Sequence, residues 1–515
     1  MFSFLFLLAG CIGSEHQVEK KNESPILVDN QQVSERRVIL VIFDSLMDES
    51  LKKAIKENRA PALKFFMENG QYSNNLISSY PTMSVTIDSS LLTGTYPDKH
   101  KIPGLVWFDE KDEKIITYGN GFFEVLKLGI PNFAHNGLYA YNNSHLSHEV
   151  TTIHEDLDKL GMKTASINTL IYRGNYRHTL KSPAVISNLG DVPRKMDTCG
   201  PSILSLGIFA RNNPDNRHVV NRIGLNDAFA AAELQYLLET ERLPPFTIVY
   251  LPENDHPVHK KGPEELSGVE KADKHLQEIL NSFPKWEDAL EQTVWMIMGD
   301  SSQSAVMDDK KKASIDLRKI LRDYHVLDLG ASVTKKDDIV ITANERMAYI
   351  YSLNEKVPLE ELAEELKKDS RIAWISWKSK GKAKLISPDS DGHFEFTSGG
   401  PFKDAYQQEW SIEGNPDILD LTIKDTNISF GDYPDGLSRL YGALHSQKGE
   451  FLIVDAKPGY EFIGESSPEH TGGGAHGSMH KVDSLSPLIV SGTDKSTENL
   501  RLVDVKKWVL ELLNE

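Results

Sequence analysis

An α/β fold built on a mostly parallel sheet is what the sequence predicts, and three observations carry the prediction. Val38–Phe43, Thr247–Leu251 and Val294–Met298 are short apolar, β-branched runs without strict alternation, the pattern of strands covered on both faces. Helical periodicity fills stretches between them, at Glu49–Asn58, Pro61–Asn69, Ala228–Leu238 and Gly268–Ser282. Each apolar run then gives way to an acidic residue: Asp44 ends RVILVIFD, Asp255 follows TIVYLPEN, and Asp300 ends TVWMIMGD. An unpaired charge at the end of a buried strand is expensive. Carboxylates gathered at one edge of a sheet therefore point to a bound cation, with His259 and the His476 of GGGAHG as nitrogen donors.

From the N-terminus, MFSFLFLLAGC carries an apolar stretch, Phe2 to Ala9, too short to span a bilayer. Leu8-Ala9-Gly10-Cys11 resembles the lipobox of bacterial lipoprotein signals. Residues 1–11 are thus expected to be a signal ending at a lipidated Cys11, placing the protein at a bacterial cell surface, anchored in the membrane, or otherwise secreted. No Lys or Arg precedes the apolar run, which departs from the usual signal and leaves room for a start further upstream. Residues 12–35 are polar and read as a flexible tether. With Cys11 acylated, Cys199 has no partner for an intrachain disulfide; it reads as a small hydrophobe without a role.

The remaining chain divides into a first core segment, 36–332, an α+β insertion, 333–435, and a closing core segment, 436–515. Within the insertion, strand-like ERMAYIYSL leads to helix-like PLEELAEELKK and strand-like RIAWISW; GEFLIVDA is expected to resume the core. Residues 105–225 read as a loop-rich cover for the site. The terminal segment Glu498–Leu513 places Val505, Trp508, Val509 and Leu512 on one face, a helix packed on the sheet. The 57 basic against 75 acidic residues, net −18, exclude a protein that reads nucleic-acid sequence through clustered cations. They do not exclude an enzyme of phosphate esters, because bound metal ions reverse the local field.

In YPTMSVTIDSSLLTG, Met83, Ile87 and Leu91 recur every four residues, and Gly94 and Pro97 stop the pattern. Ser84 then lies in the first turn of a helix, where free N–H groups favour an anion. The helix dipole supplies about 1–2 kcal/mol at best. Metal coordination can lower the pKa of a bound water from about 15.7 to about 7, worth roughly 12 kcal/mol. Metal would do most of the activation. Taken alone, Thr82, Ser84 and Thr86 equally suit capping roles.

Together these residues resemble the nucleotide pyrophosphatase/phosphodiesterase branch of the alkaline phosphatase superfamily. Pro81, Ser84, Thr93 and Gly94 meet its P-x-x-[ST] turn and the T-G nine residues on, and TGTYPDKHKI continues the match. The resemblance implies an alkaline phosphatase-like sheet flanked by helices, a Ser84 nucleophile, and two divalent metals. One metal, zinc by preference, would take Asp255, His259 and His476. The second (zinc, manganese or magnesium) would take Asp44, Asp300 and Ser84. The implied reaction is hydrolysis of a small phosphodiester or nucleotide pyrophosphate through a covalent phospho-Ser84; monoester hydrolysis, phosphonate hydrolysis and phosphotransfer are served by the same core. No C-x-P-x-R sulfatase turn is present. Two positions depart from the pattern: Ser301 stands where the second metal's histidine belongs, and Leu105 where a phosphate-contacting Asn belongs. His256, His393 and His480 are the candidates to replace that histidine, and oxygen donors would favour manganese, magnesium or calcium there. A surface binding protein with a degraded metal site is the reading from another class. His100 reads as structural, and His135, His145, His148 and His154 lack ligand spacing. Trp107, Tyr172, Trp374 and Trp377 read as core.

Overall fold

A computed structural model describes residues 36–184, 187, 192–353 and 357–514. The expected signal, its Cys11 and the tether lie outside the described residues. The first sheet has seven strands: β1 (Arg37–Phe43), β2 (Gly70–Ile77), β3 (Thr164–Ile167), β4 (Ile203–Ser205), β5 (Phe246–Leu251), β6 (Thr293–Gly299) and β7 (Leu485–Ser491). They lie in the order β2-β7-β6-β1-β5-β3-β4. β1 pairs in parallel with β5 and β6, β3 in parallel with β4 and β5, and β7 runs antiparallel to both its neighbours.

Alternate residues of β1 enter two different cores. Val38, Leu40 and Ile42 face the helix Ser84–Thr93 and the terminal helix Leu502–Leu513. Ile39, Val41 and Phe43 face helices Asp48–Lys56, Pro61–Glu68, Asp227–Glu239 and Ser267–Leu280. Full burial of such side chains contributes about 1.5–3 kcal/mol each, so a strand with two apolar faces gains most between helix layers. The α/β expectation is met, including the buried face Val505, Trp508, Val509 and Leu512. No helix among the described residues is long and apolar enough to cross a membrane.

A second, nine-stranded sheet stands beside the first. Its hairpin Ile339–Asn344/Met347–Ser352 pairs through Met347–Tyr351 with Phe451–Asp455, which in turn pairs with Ile372–Ser379. The expectation that GEFLIVDA resumes the core is therefore corrected: Phe451–Ala456 is an interior strand of the second sheet. The run is apolar on both faces, like β1, and such a run suits the interior of either sheet. The 105–225 segment is also more ordered than expected, with hairpins Val106–Asp109/Lys114–Thr117 and Tyr176–Lys181/Lys195–Gly200 and a π-helix, Asn136–His145.

Candidate active site

The carboxyl ends of β5, β1 and β6 form one edge. Phe43 is in register with Leu251 and Gly299, so Asp44 and Asp300 emerge side by side. Gly299 permits this crowding, since a Cβ there would meet Leu46 O at 2.3 Å. Ser45 joins the carboxylates: its N–H donates to Asp300 Oδ1 at 2.9 Å and its Oγ to Asp255 Oδ1 at 3.0 Å. Gln303 Nε2 donates to Asp255 Oδ1 at 2.7 Å and to Ser45 Oγ at 3.0 Å.

Asp255 and His259 sit one turn apart on helix Asp255–Lys261, which puts both on one face. His259 Nδ1 lies 2.8 Å from Gly474 O, and His476 Nδ1 faces Thr82 O. A ring nitrogen facing a carbonyl carries the hydrogen, which directs the other nitrogen's lone pair to a ligand. Both Nε2 atoms point toward Asp255 Oδ1, at 3.1 Å from His259 and 3.9 Å from His476. Two imidazole nitrogens and a carboxylate oxygen, each oriented by a further partner, fit a zinc-type ion. Burial lowers His259, but the Asp255 and Glu345 carboxylates outweigh it and push it up to about 10. Burial raises Asp255, yet His259 and His476 hold it well below the usual carboxylate range. The pocket demands positive charge between these atoms; a proton meets that demand in part, and a divalent cation meets it with all three ligands at once.

The second set is anionic. Asp44 is pushed well up, first by burial and then by Asp255 and Asp300; burial raises Asp300 to about 6 against the Ser45 and Ser301 N–H bonds. Asp88, one turn beyond Ser84, is raised by burial and by Asp300. Tyr250 donates to Asp300 Oδ2 at 3.3 Å. Oxygen donors under such mutual repulsion suit a hard divalent ion.

The structure distinguishes the three hydroxyls of the turn. Thr82 is fully buried, donating to Ser478 O at 3.1 Å and accepting from Gly477 N at 2.7 Å. Thr86 is fully buried and donates to Ile102 O at 3.2 Å. Ser84 is the partly exposed one, opening helix Ser84–Thr93 behind the extended Met83. The helix is buried all round from Val85 to Thr93, where the Met83-Ile87-Leu91 stripe had promised one buried face. Its packing between β1 and the terminal helix explains the difference.

Ser301 is buried, its N–H bonded to Asp300 Oδ1 at 2.8 Å, and Leu105 is core. Among the described residues two groups could hold a metal, Asp255/His259/His476 and His259/Glu345/His470. Neither includes His256, His393 or His480: His393 is exposed on the second sheet, and His480 accepts from Val482 N at 3.3 Å. His100 is structural, bonded to Ser90 Oγ at 3.0 Å, and the four singled-out aromatics are buried. Cys199 is exposed, correcting its reading as a small hydrophobe; it alternates outward in a hairpin strand whose neighbours Thr198 and Gly200 turn in. Sequence reasoning missed Gln303, Asp88, Tyr250 and Glu345. A charge within the apolar run SVTIDSSLLT was a visible signal for Asp88. Glu345 gave none.

No curated protein sequence matches the chain. Among solved structures, human ectonucleotide pyrophosphatase/phosphodiesterase 5 superposes with a TM-score of 0.55 at 15% identity, covering 93% of this chain and 95% of that one. The murine protein, in an inactive form in complex with AMP, gives 0.54 at 13% with the same coverage. Phosphonoacetate hydrolase from Sinorhizobium meliloti 1021, with phosphonoformate, gives 0.55 at 14%, covering 96% and 100%. At such identities the likeness establishes the fold. The sequence profile of the type I phosphodiesterase/nucleotide pyrophosphatase family matches residues 38–479. With most of its length matched, from the first strand of the catalytic sheet to the loop beyond His476, the chain belongs to the type I phosphodiesterase/nucleotide pyrophosphatase family.

Proposed function

We propose that the protein is a metal-dependent hydrolase of phosphodiesters or nucleotide pyrophosphates, with Ser84 as nucleophile. The observation that supports this best is the partly exposed Ser84 at a helix N-terminus, two residues beyond Thr82, whose carbonyl oxygen meets Nδ1 of His476 in the Asp255/His259/His476 group. Divalent ions, zinc at Asp255/His259/His476 and zinc, manganese or magnesium between Asp44, Asp300 and Ser84, supply positive charge that acidifies the serine alcohol and draws charge from the phosphoryl oxygens. Ser84 Oγ attacks phosphorus as the bond to the leaving oxygen breaks; the departing group takes a proton and the phosphoryl stays on Ser84. Water then attacks phosphorus, the Ser84 Oγ–P bond breaks, and Ser84 regains its proton. First-turn N–H groups face the phosphoryl oxygens, and Tyr250, kept protonated by burial among three carboxylates, donates to Asp300 Oδ2 and orients that carboxylate. A lipid on Cys11 would hold this activity at the cell surface.

The test is zinc- or manganese-loaded protein against chromogenic diester and monoester substrates and a phosphonate. Diester turnover is expected, lost by roughly a thousandfold or more in Ser84→Ala, with phospho-Ser84 trapped on acid quenching. Ser301 and Leu105 favour the alternative of a surface binding protein; phosphate-ester binding without turnover, unchanged by Ser84→Ala, would establish it and end the hydrolase reading.

A further inference from the structure

The second sheet sends one hairpin into the catalytic edge. Its strands Ile339–Asn344 and Met347–Ser352 are joined by Glu345 and Arg346. Glu345 adopts a left-handed backbone with φ of 57°, a conformation that is unfavourable for a residue with a Cβ. The tip is pinned to the loop that carries His476. Glu345 Oε2 accepts from His476 N at 3.0 Å, and Arg346 N donates back to His476 O at 2.9 Å. One carboxylate oxygen is thereby anchored, and the other, Oε1, is turned toward the imidazoles. It lies 3.7 Å from His259 Nε2 and 3.9 Å from His476 Nε2. The side chain is 6% exposed.

Two carboxylate oxygens, Asp255 Oδ1 and Glu345 Oε1, thus approach the same two nitrogens, His259 Nε2 and His476 Nε2. Ligands about 2.0–2.2 Å from a tetrahedral zinc stand about 3.3–3.6 Å from one another. The four carboxylate-to-imidazole distances are 3.1, 3.7, 3.9 and 3.9 Å, close to that spacing. His470 supports the arrangement, stacked on the His259 ring with centroids 4.3 Å apart and held by Glu461 Oε2 at 2.9 Å from its Nδ1.

We propose that Glu345 is a fourth protein ligand of the metal held by Asp255, His259 and His476, so that the second sheet closes this site. The assignment rests on the metal-dependent reading above. Three protein ligands leave a catalytic zinc one open place, whereas four close it, as in structural sites. With metal bound, Glu345 Oε1 would occupy the place that three protein ligands leave open.

The test uses the metal-stripped full chain. Zinc affinity is measured by competition with a chromogenic chelator, and visible spectra are recorded with one equivalent of cobalt(II) between pH 6 and 9. Wild type is expected to give a pH-independent cobalt spectrum, because no coordinated water is present to ionise. Glu345→Gln keeps an oxygen for His476 N while removing the charge. It is expected to weaken zinc at least about tenfold and to introduce a spectral transition near about pH 7, where a zinc-type water ionises. A wild-type spectrum that already titrates near neutrality overturns the assignment without any variant. So does a Glu345→Gln affinity equal to wild type while Asp255→Asn loses the metal, which would make Glu345 a positioning residue for His476. Wild-type protein that takes up no zinc or cobalt overturns the hydrolase reading and this assignment together.

Discussion

Replacing Arg346 with Met puts the junction of the two sheets to a quantitative test. Arg346 and its partner Asp483 are both fully buried, with Nη1 against Asp483 Oδ1. The guanidinium also donates from Nη2 to Ala456 O at 3.0 Å and from Nε to Tyr460 O at 3.3 Å. Asp483 sits at about 6, raised by burial more than Arg346 lowers it. Losing the arginine strands a buried carboxylate, which typically costs about 3–5 kcal/mol; methionine refills part of the volume. Asp483→Asn in the same chain removes the stranded charge and keeps an acceptor for Ser478 N, now 3.0 Å from Oδ2. The double variant should therefore recover about 2 kcal/mol relative to the sum of the single changes. Urea unfolding followed by tryptophan fluorescence measures all four corners of the cycle. A single-variant cost below about 1 kcal/mol, or additivity within about 0.5 kcal/mol, would refute the reasoning.

Two further expectations concern buried groups. His154 and His100 are each held near about 3 by burial, below the ordinary 6.5. The folded protein therefore binds fewer protons than the unfolded one, and their contribution is present above pH 6.5 and lost as pH falls toward 3. At pH 5 each is worth about 2 kcal/mol. His154→Leu should narrow the stability difference between pH 7.5 and 5 by that amount, since raised carboxyls elsewhere cancel in the comparison; parallel wild-type and variant curves would contradict this. At Gly477, φ is 111° and a Cβ would meet Asn344 O at 2.4 Å. Gly477→Ala should displace His476 from the hairpin, lowering zinc affinity and the thermal midpoint together, and an unchanged affinity would show that the two are not linked.

Much of the catalytic half was legible in the sequence because its signals are local. β1, β5 and β6 are apolar runs whose terminal residues reveal their ends, and Asp255 and His259 declare a helical face by spacing alone. Ser84 is different. Three hydroxyls share that turn and only the family resemblance singled one out; the burial of Thr82 and Thr86 comes from partners in other segments, Ser478, Gly477 and Ile102, which the local sequence does not reveal. Glu345 was illegible for the same reason. Its importance comes from a contact across more than eighty residues to His259 and more than a hundred to His476, and a Glu at a hairpin tip reads as a solvated turn. The strand Phe451–Ala456 misled because hydrophobicity announces a buried strand without saying which sheet receives it.

That strand has a consequence for synthesis. Phe451–Ala456 lies between neighbours made much earlier, and β7, near the end of the chain, closes the catalytic sheet between β6 and β2. A nascent polypeptide halted at residue 440 would carry two half-built layers, each with a gap where its missing strand belongs. Unpaired edges of that kind invite mispairing and aggregation. Both architectures are expected to lock only once Leu485–Ser491 has been made, so chains truncated before residue 485 should be cleared by proteases rather than accumulate as stable fragments.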